Sequence, residues 1–303
     1  SKSTPKFSRK LSLSIVTNSQ KQFIMSISYC DFNYLRQLVR EYSSTVLSND
    51  KAYLAELRLA PLAAQMNFNS LGELIAKLRN QPFNHLHVQV VEAMLLTETS
   101  FFRDEYPFDT LAKYILIELI SKRQVQRKLN IWSAACSSGQ EPYSIAILLS
   151  EHFPNLASWT IQIIATDLSG EMISRARSGL YSEIEVRRGV RENLLDKYFH
   201  SSASGKEWQI QDRIRQLVEF RQMNLVTDSL TKPIFDIIFL RNVLIYFDVE
   251  TKKVILEKVG RVLAKDGYLF LGGGETTLNL DDSFERVQFD KTICYRQRDR
   301  VKS

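Results

Sequence analysis

From Asp31 to about Leu96 the apolar positions recur at three- and four-residue steps. Phe32, Leu35, Leu38, Val39, Tyr42 and Val46 fall on one face, as in a helix buried along one side. KAYLAELRLAPLAAQM (51–66) reads as a second helix that Pro61 kinks or breaks. Ser70 with Glu73 three residues later is a capping-box start for LGELIAKLRN, and a fourth helix covers about 84–96. Short helices in succession predict a small all-helical unit.

Near residue 105 the pattern changes. A long helix over about 106–126 leads into LNIWSA, a compact strand. There follow a helix (141–152), a strand (160–167), a helix (169–178), strands at 218–224 and 235–242, a helix (249–263) and a strand (267–273). Apolar strands alternating with helices predict an α/β fold with a mostly parallel sheet covered on both faces. FERVQFDKTICYRQ closes the pattern as two strands joined by a hairpin at Asp290-Lys291. Residues 183–217 break the alternation with a helix-like segment (Arg191 to Phe199), a Ser/Gly turn and short strand candidates, and read as an insertion. The expected organisation is a basic, flexible tail (1–24), a helical domain (25–98) and an α/β domain (99–303).

Composition narrows the class. Hydrophobic residues make up 44% of the 303 and charged residues 24%, ordinary for a soluble globular protein. The net charge of +6 is misleading, because Lys2, Lys6, Arg9, Lys10 and Lys21 sit in the tail with no acid among them. The rest is close to neutral, which argues against a nucleic-acid partner. No run reaches the roughly 18 apolar residues of a membrane span, and LSLSIV is too short and serine-dotted for a secretory signal. Cys30, Cys136 and Cys294 are widely spaced, against a zinc knuckle or disulfide framework and for a reducing, cytoplasmic setting. His85 and His87 form H-x-H, but His152 and His200 offer no matching spacing, so no metal is expected.

The candidate chemistry begins at WSAACSSGQEPYS (132–144), where small residues run from Ser133 to Gly139 between a strand and its helix. In a doubly wound sheet, ligands bind past the carboxyl ends of the strands. Small side chains let a ligand approach the backbone, and a helix start offers free N–H groups. Many such turns carry no ligand, so the next strand matters more. ATD puts Asp167 at its carboxyl end, where an acid can accept hydrogen bonds from both hydroxyls of a ribose. There is no G-x-G-x-x-G, and Glu141 stands where a pyrophosphate would want no negative charge. An acid there suits a ligand with a cationic end. The pair fits S-adenosylmethionine (SAM), which has a ribose, an ammonium and a sulfonium but no phosphate, and disfavours a dehydrogenase.

TETSFFRD (97–104), IWSAACSSGQEPYSIA (131–146), ATDLS (165–169), ARSGLY (176–181), EFRQMNL (219–225) and RNVLIYF (241–247) together resemble the chemotaxis receptor methyltransferases, the CheR family. The resemblance runs from about Asp31 to Arg296 with the motifs in family order. It implies a Rossmann-like class I methyltransferase sheet behind a helical domain, with 183–217 as a small antiparallel β-subdomain. It implies transfer of a methyl group from SAM to glutamates on the cytoplasmic methylation helices of chemoreceptors, by a cytoplasmic enzyme; the sequence leaves the oligomeric state open, with a monomer as the default expectation. In some members the β-subdomain docks a receptor carboxyl-terminal peptide through a glycine-rich loop. Only Gly205 lies in the turn here, which points to a member that does not need that peptide.

Residue by residue, the resemblance implies that Thr99 and Arg103 reach the methionine end of SAM. Thr97 stands where the family often has Asn, and keeps only part of that contact. The Ala135 backbone and the Glu141 carboxylate match the amine contacts, Asp167 the ribose acid, and Asn224 and Leu225 the adenine side. Arg241 and Asn242 line the pocket, and Tyr246 projects toward the reacting methyl. Each has an ordinary structural reading too: Arg103 in a salt bridge, Tyr246 as a core aromatic, Asn224 capping a turn. A glutamate with a pKa of about 4.3 is already ionised at neutral pH, so attack on the methyl, releasing S-adenosylhomocysteine, needs alignment rather than a base. Arg103 and Tyr246 are the candidates for orienting the carboxylate. The competing readings are a SAM-binding regulatory or scaffold protein without turnover, and a methyltransferase acting on another substrate. Arg36, Arg40 and Arg58 are candidates for meeting an acidic receptor surface, or are ordinary solvated helix charges.

Overall fold

The computed structural model describes residues 26–95 and 97–298, so the tail expected over 1–24 lies outside the described residues. Four helices come first: α1 (Tyr29–Ser43), α2 (Ala52–Gln65), α3 (Leu71–Arg79) and α4 (His85–Met94). Their apolar stripes meet in a core of their own, built around Phe32, Leu35, Leu59, Leu74 and Val90. Val46 was expected on the first helical face, but Ser44 turns left-handed and ends α1, leaving Val46 43% exposed. α2 runs through Pro61 without a break. Pro61 and Leu57, whose carbonyl the ring deprives of a donor, are both exposed, so that carbonyl is open to water. Ser70 caps α3 by accepting the Glu73 N–H at 3.1 Å, while the Glu73 carboxylate accepts the Asn69 N–H at 2.8 Å. His87 serves a helix start: Nδ1 accepts the Asn84 N–H and Nε2–H donates to the Leu78 carbonyl, both at 3.1 Å. Among the described residues no group of three or more His, Cys, Asp or Glu side chains is placed to hold a metal.

The second unit opens with α5 (Tyr106–Thr110), a π-helical turn (Leu111–Ile115) and α6 (Leu116–Lys122), together the expected long helix, ending at Lys122 rather than near 126. Then come β1 (Lys128–Ala134), α7 (Gln140–His152), β2 (Thr160–Asp167), α8 (Gly170–Ser178), β3 (Leu180–Ser182), α9 (Glu183–Arg187) and α10 (Glu192–Tyr198). The chain continues through β4 (Phe199–Ser201), β5 (Glu207–Ile210), α11 (Asp212–Arg215), β6 (Val218–Gln222), β7 (Phe235–Leu240), α12 (Val249–Val262), β8 (Leu263–Leu271), β9 (Phe284–Phe289) and β10 (Thr292–Gln297). The large sheet runs β6-β2-β1-β7-β8-β10-β9, parallel as far as β8 and antiparallel beyond it. Successive strand residues take opposite faces: Ile131, Ile163 and Ile237 pack with α6 and α7, and Trp132, Ile164 and Ile238 with α12.

A small antiparallel sheet, β3-β5-β4, forms at the expected insertion, with its first strand lying before residue 183. Its Tyr181, Trp208 and Ile210 belong to the same core as Ile131 and Phe239, so it is an extension of the main core. From β1 the chain moves outward to β2 and β6, then returns to lay β7 on the other side of β1. The strand order therefore reverses between β1 and β7, where such sheets leave a crevice at their carboxyl ends. Among the described residues no helix is long and apolar enough to cross a membrane.

Candidate active site

A cleft of about 1050 Å³, its open mouth included, lies over that crevice and is bounded on the far side by Ser43, Thr45 and Leu95 of the helical domain. Every residue expected at the methyl-donor site lines it. Thr97, Thr99 and Arg103 come from the segment linking the two units, and Ala135 and Glu141 from the turn after β1 and the start of α7. Asp167 ends β2, Asn224 and Leu225 follow β6, Arg241 and Asn242 follow β7, and Tyr246 closes a short 3-10 turn beyond them.

The two acids are held in different ways. Asp167 accepts the Ser137 N–H at 2.7 Å on one oxygen and the Ser169 N–H at 2.9 Å on the other. A carboxylate has about four acceptor sites, so lone pairs remain for a diol. Burial pushes the Asp167 carboxyl above its ordinary range; the two N–H groups oppose the shift and the Glu92 charge adds to it. Glu141 accepts the Ser133 hydroxyl at 2.8 Å and an Arg241 N–H at 3.1 Å. Burial raises its pKa too, with the Arg241 charge pulling the other way. The small residues of WSAACSSG thus bring the Ser137 N–H and the Ser133 hydroxyl to the two acids. Gly139 is required there on two counts, a φ of +93° and a Cβ position that would lie 2.8 Å from the Ala176 Cβ.

Arg241 lines the cleft, as expected, and does more. Its side chain is 2% exposed and braces the site, donating to Glu141, to Asp104 at 2.7 Å and to the Arg103 carbonyl at 3.0 Å. Asn224 is likewise committed. Its amide donates to the Tyr42 carbonyl at 3.1 Å and accepts the Val226 N–H at 2.9 Å, while its backbone N–H goes to Asp228. It caps a turn and ties the two units together. The neighbouring Leu225 N–H has no partner among the described residues. Thr97 contributes its carbonyl, which accepts the Ser137 hydroxyl at 2.8 Å. Arg103 donates to the Glu98 carbonyl at 3.0 Å and lies half-buried at the cleft. Tyr246 is partly buried, which raises its hydroxyl pKa, and its carbonyl accepts the Val46 N–H at 2.9 Å.

The backbone is strained around this cleft. Phe102, Asp104, Glu105, Ala135, Ser137 and Asn242 all have φ between 43° and 69°, a region where few non-glycine residues sit. Sequence reasoning missed the groups that hold these turns. Glu275 accepts N–H groups from Asn242 at 2.8 Å, Gly272 at 2.7 Å and Ile245 at 3.3 Å. Glu92 of α4 accepts the Ser169 hydroxyl and the Gly170 N–H, both at 3.0 Å. In the sequence each is one acid among 34, with no local signal. Arg36, Arg40 and Arg58 are engaged within the chain: Arg36 with the Leu47 carbonyl, Arg40 with Asp248 and Arg58 with the Met94 carbonyl.

Two family descriptions match in tandem: "CheR methyltransferase, all-alpha domain" over residues 31–95 and "CheR methyltransferase, SAM binding domain" over 97–293. The chain belongs to the CheR methyltransferase family. Chemotaxis protein methyltransferase 1 of Pseudomonas aeruginosa is 42% identical over 275 residues, spanning 90% of this chain and 99% of its own. Chemotaxis protein methyltransferase Cher2 of Pseudomonas putida is 41% identical with the same coverage, and a Vibrio parahaemolyticus chemotaxis protein methyltransferase is 36% identical over 90% and 98% of the two chains. The cleft therefore belongs to a SAM-binding methyltransferase domain and is closed by the CheR all-alpha domain. Its donor set fits SAM: carboxylates for a diol and an ammonium, and an arginine for a carboxylate.

Proposed function

We propose that this chain transfers a methyl group from SAM to glutamate side chains on the cytoplasmic methylation helices of chemoreceptors, forming methyl esters. What carries the reading is the convergence of Arg103, Glu141, Asp167, Leu225 and Tyr246 on one cleft between the two CheR domains. The chemotaxis names of the relatives support the receptor as substrate. SAM supplies a methyl group activated by its sulfonium. Asp167 takes the ribose hydroxyls on its remaining lone pairs, and the Leu225 N–H meets the adenine edge. Glu141, steadied by Arg241, holds the ammonium together with the Ala135 backbone. Arg103 forks onto the methionine carboxylate and, with the neutral Tyr246 hydroxyl, steers the incoming glutamate. No base is needed, so these groups act by alignment and by excluding water.

The test is transfer of radiolabelled methyl from SAM to receptor membranes. Arg103→Ala is expected to lower kcat/KM by about a hundredfold or more, the scale of lost alignment. Tyr246→Phe is expected to lower kcat roughly tenfold with SAM affinity unchanged, because it removes an orienting contact and leaves the donor site intact. Binding of SAM by the wild type with no labelling of any receptor would remove the catalytic reading.

A further inference from the structure

We propose that Glu92 of the helical domain positions the ribose-side carboxylate of Asp167, so that the helical domain sets the affinity for the methyl donor. The proposal rests on the reading of Asp167 as the ribose acid. Glu92 projects from α4, in a domain with its own core, yet both its carboxylate oxygens end in the other domain, on the Ser169 hydroxyl and the Gly170 N–H. Ser169 is 2% exposed and is the N-cap of α8, its hydroxyl accepting the Met172 N–H at 3.2 Å. Its own N–H is one of the two that hold Asp167. The relay is therefore short and continuous: Glu92 fixes Ser169, and Ser169 fixes one carboxylate oxygen of Asp167.

The second oxygen is held from the same side of the molecule. Ser137 gives its N–H to Asp167 and its hydroxyl to the carbonyl of Thr97, in the segment joining the two domains. Asp167 is thus gripped through one partner tied to α4 and another tied to the interdomain segment. A carboxylate that must present its remaining lone pairs to two hydroxyls depends on that orientation. Coupling of this kind is reciprocal, so a bound methyl donor in turn stabilises the docked helical domain.

The measurement is calorimetry of S-adenosylhomocysteine binding to the full chain, with steady-state kinetics alongside. Glu92→Gln, close to isosteric, is expected to weaken binding about tenfold, a usual size for coupling between sites, and to raise KM for SAM equally while kcat at saturation stays within about twofold. Ser169→Ala, which removes only the hydroxyl half of the contact, is expected to weaken binding about threefold and to add less than that on top of Glu92→Gln. Arg40→Ala breaks a different interdomain contact, the 3.1 Å pair with Asp248, and is expected to leave binding unchanged. Wild-type affinity in Glu92→Gln, or an equal loss in Arg40→Ala, overturns the proposal. Asp167→Ala separates the two ideas: binding lost there but retained in Glu92→Gln defeats the relay alone, and binding retained in Asp167→Ala defeats the ribose assignment itself.

Discussion

At the residue scale, the proposed chemistry rests on carboxylates that work against their own burial. Asp167 and Glu141 are both pushed above the ordinary carboxylate range, so in the free protein protonation favours the fold and ionisation opposes it. The proposed binding of the methyl donor needs both ionised. Affinity for S-adenosylhomocysteine is therefore expected to fall as pH drops, starting above the range where exposed carboxylates titrate; affinity that holds flat into that range contradicts the assignment. Arg241 offsets the charge of Glu141. Arg241→Ala leaves Glu141 largely buried without its partner and is expected to cost about 3–5 kcal/mol in denaturant titration. The chemical types at the site were legible because Asp167 and Glu141 stand beside recognisable strand ends. The bracing roles of Arg241 and Asn224 were not, since their partners Glu141, Asp104 and Tyr42 lie 100, 137 and 182 residues away.

At the element scale, periodicity located the helices and strands and misjudged their ends. Val46 continues the apolar spacing of α1, yet the left-handed Ser44 stops the helix first. Pro61 signalled a break that exposure to water makes unnecessary. The strand expected to reach residue 224 stops at Gln222, because the Asn224 side chain captures the Val226 N–H and turns the chain. Packing between elements left no mark on the pattern. Gly189, between α9 and α10, faces the Phe101 carbonyl so closely that a Cβ would lie 1.9 Å from its oxygen. Gly189→Ala must displace the strained turn that carries Arg103. The expected result is a loss of about 1–3 kcal/mol in thermal or denaturant unfolding, as for overpacking elsewhere, together with weaker SAM binding. A variant with wild-type stability and affinity would mean that the turn tolerates movement.

At the scale of the whole molecule, two separately cored domains meet across the cleft to which the chemistry is assigned. The helical domain contributes to the site's walls, to the Asn224 turn through Tyr42 and to the Tyr246 turn through Val46. The motif order made the family legible. The contribution of the helical domain was hidden, because Glu92, Tyr42 and Val46 act through single contacts that no spacing announces. The central claim is the identity of the methyl acceptor. The direct measurement is to label receptor membranes with this enzyme and radiolabelled SAM, treat them with mild base, and map the modified residues. The account predicts label released as methanol, with the methyl esters on glutamates of the cytoplasmic helices. Base-stable label, or label on any other side chain, would contradict it.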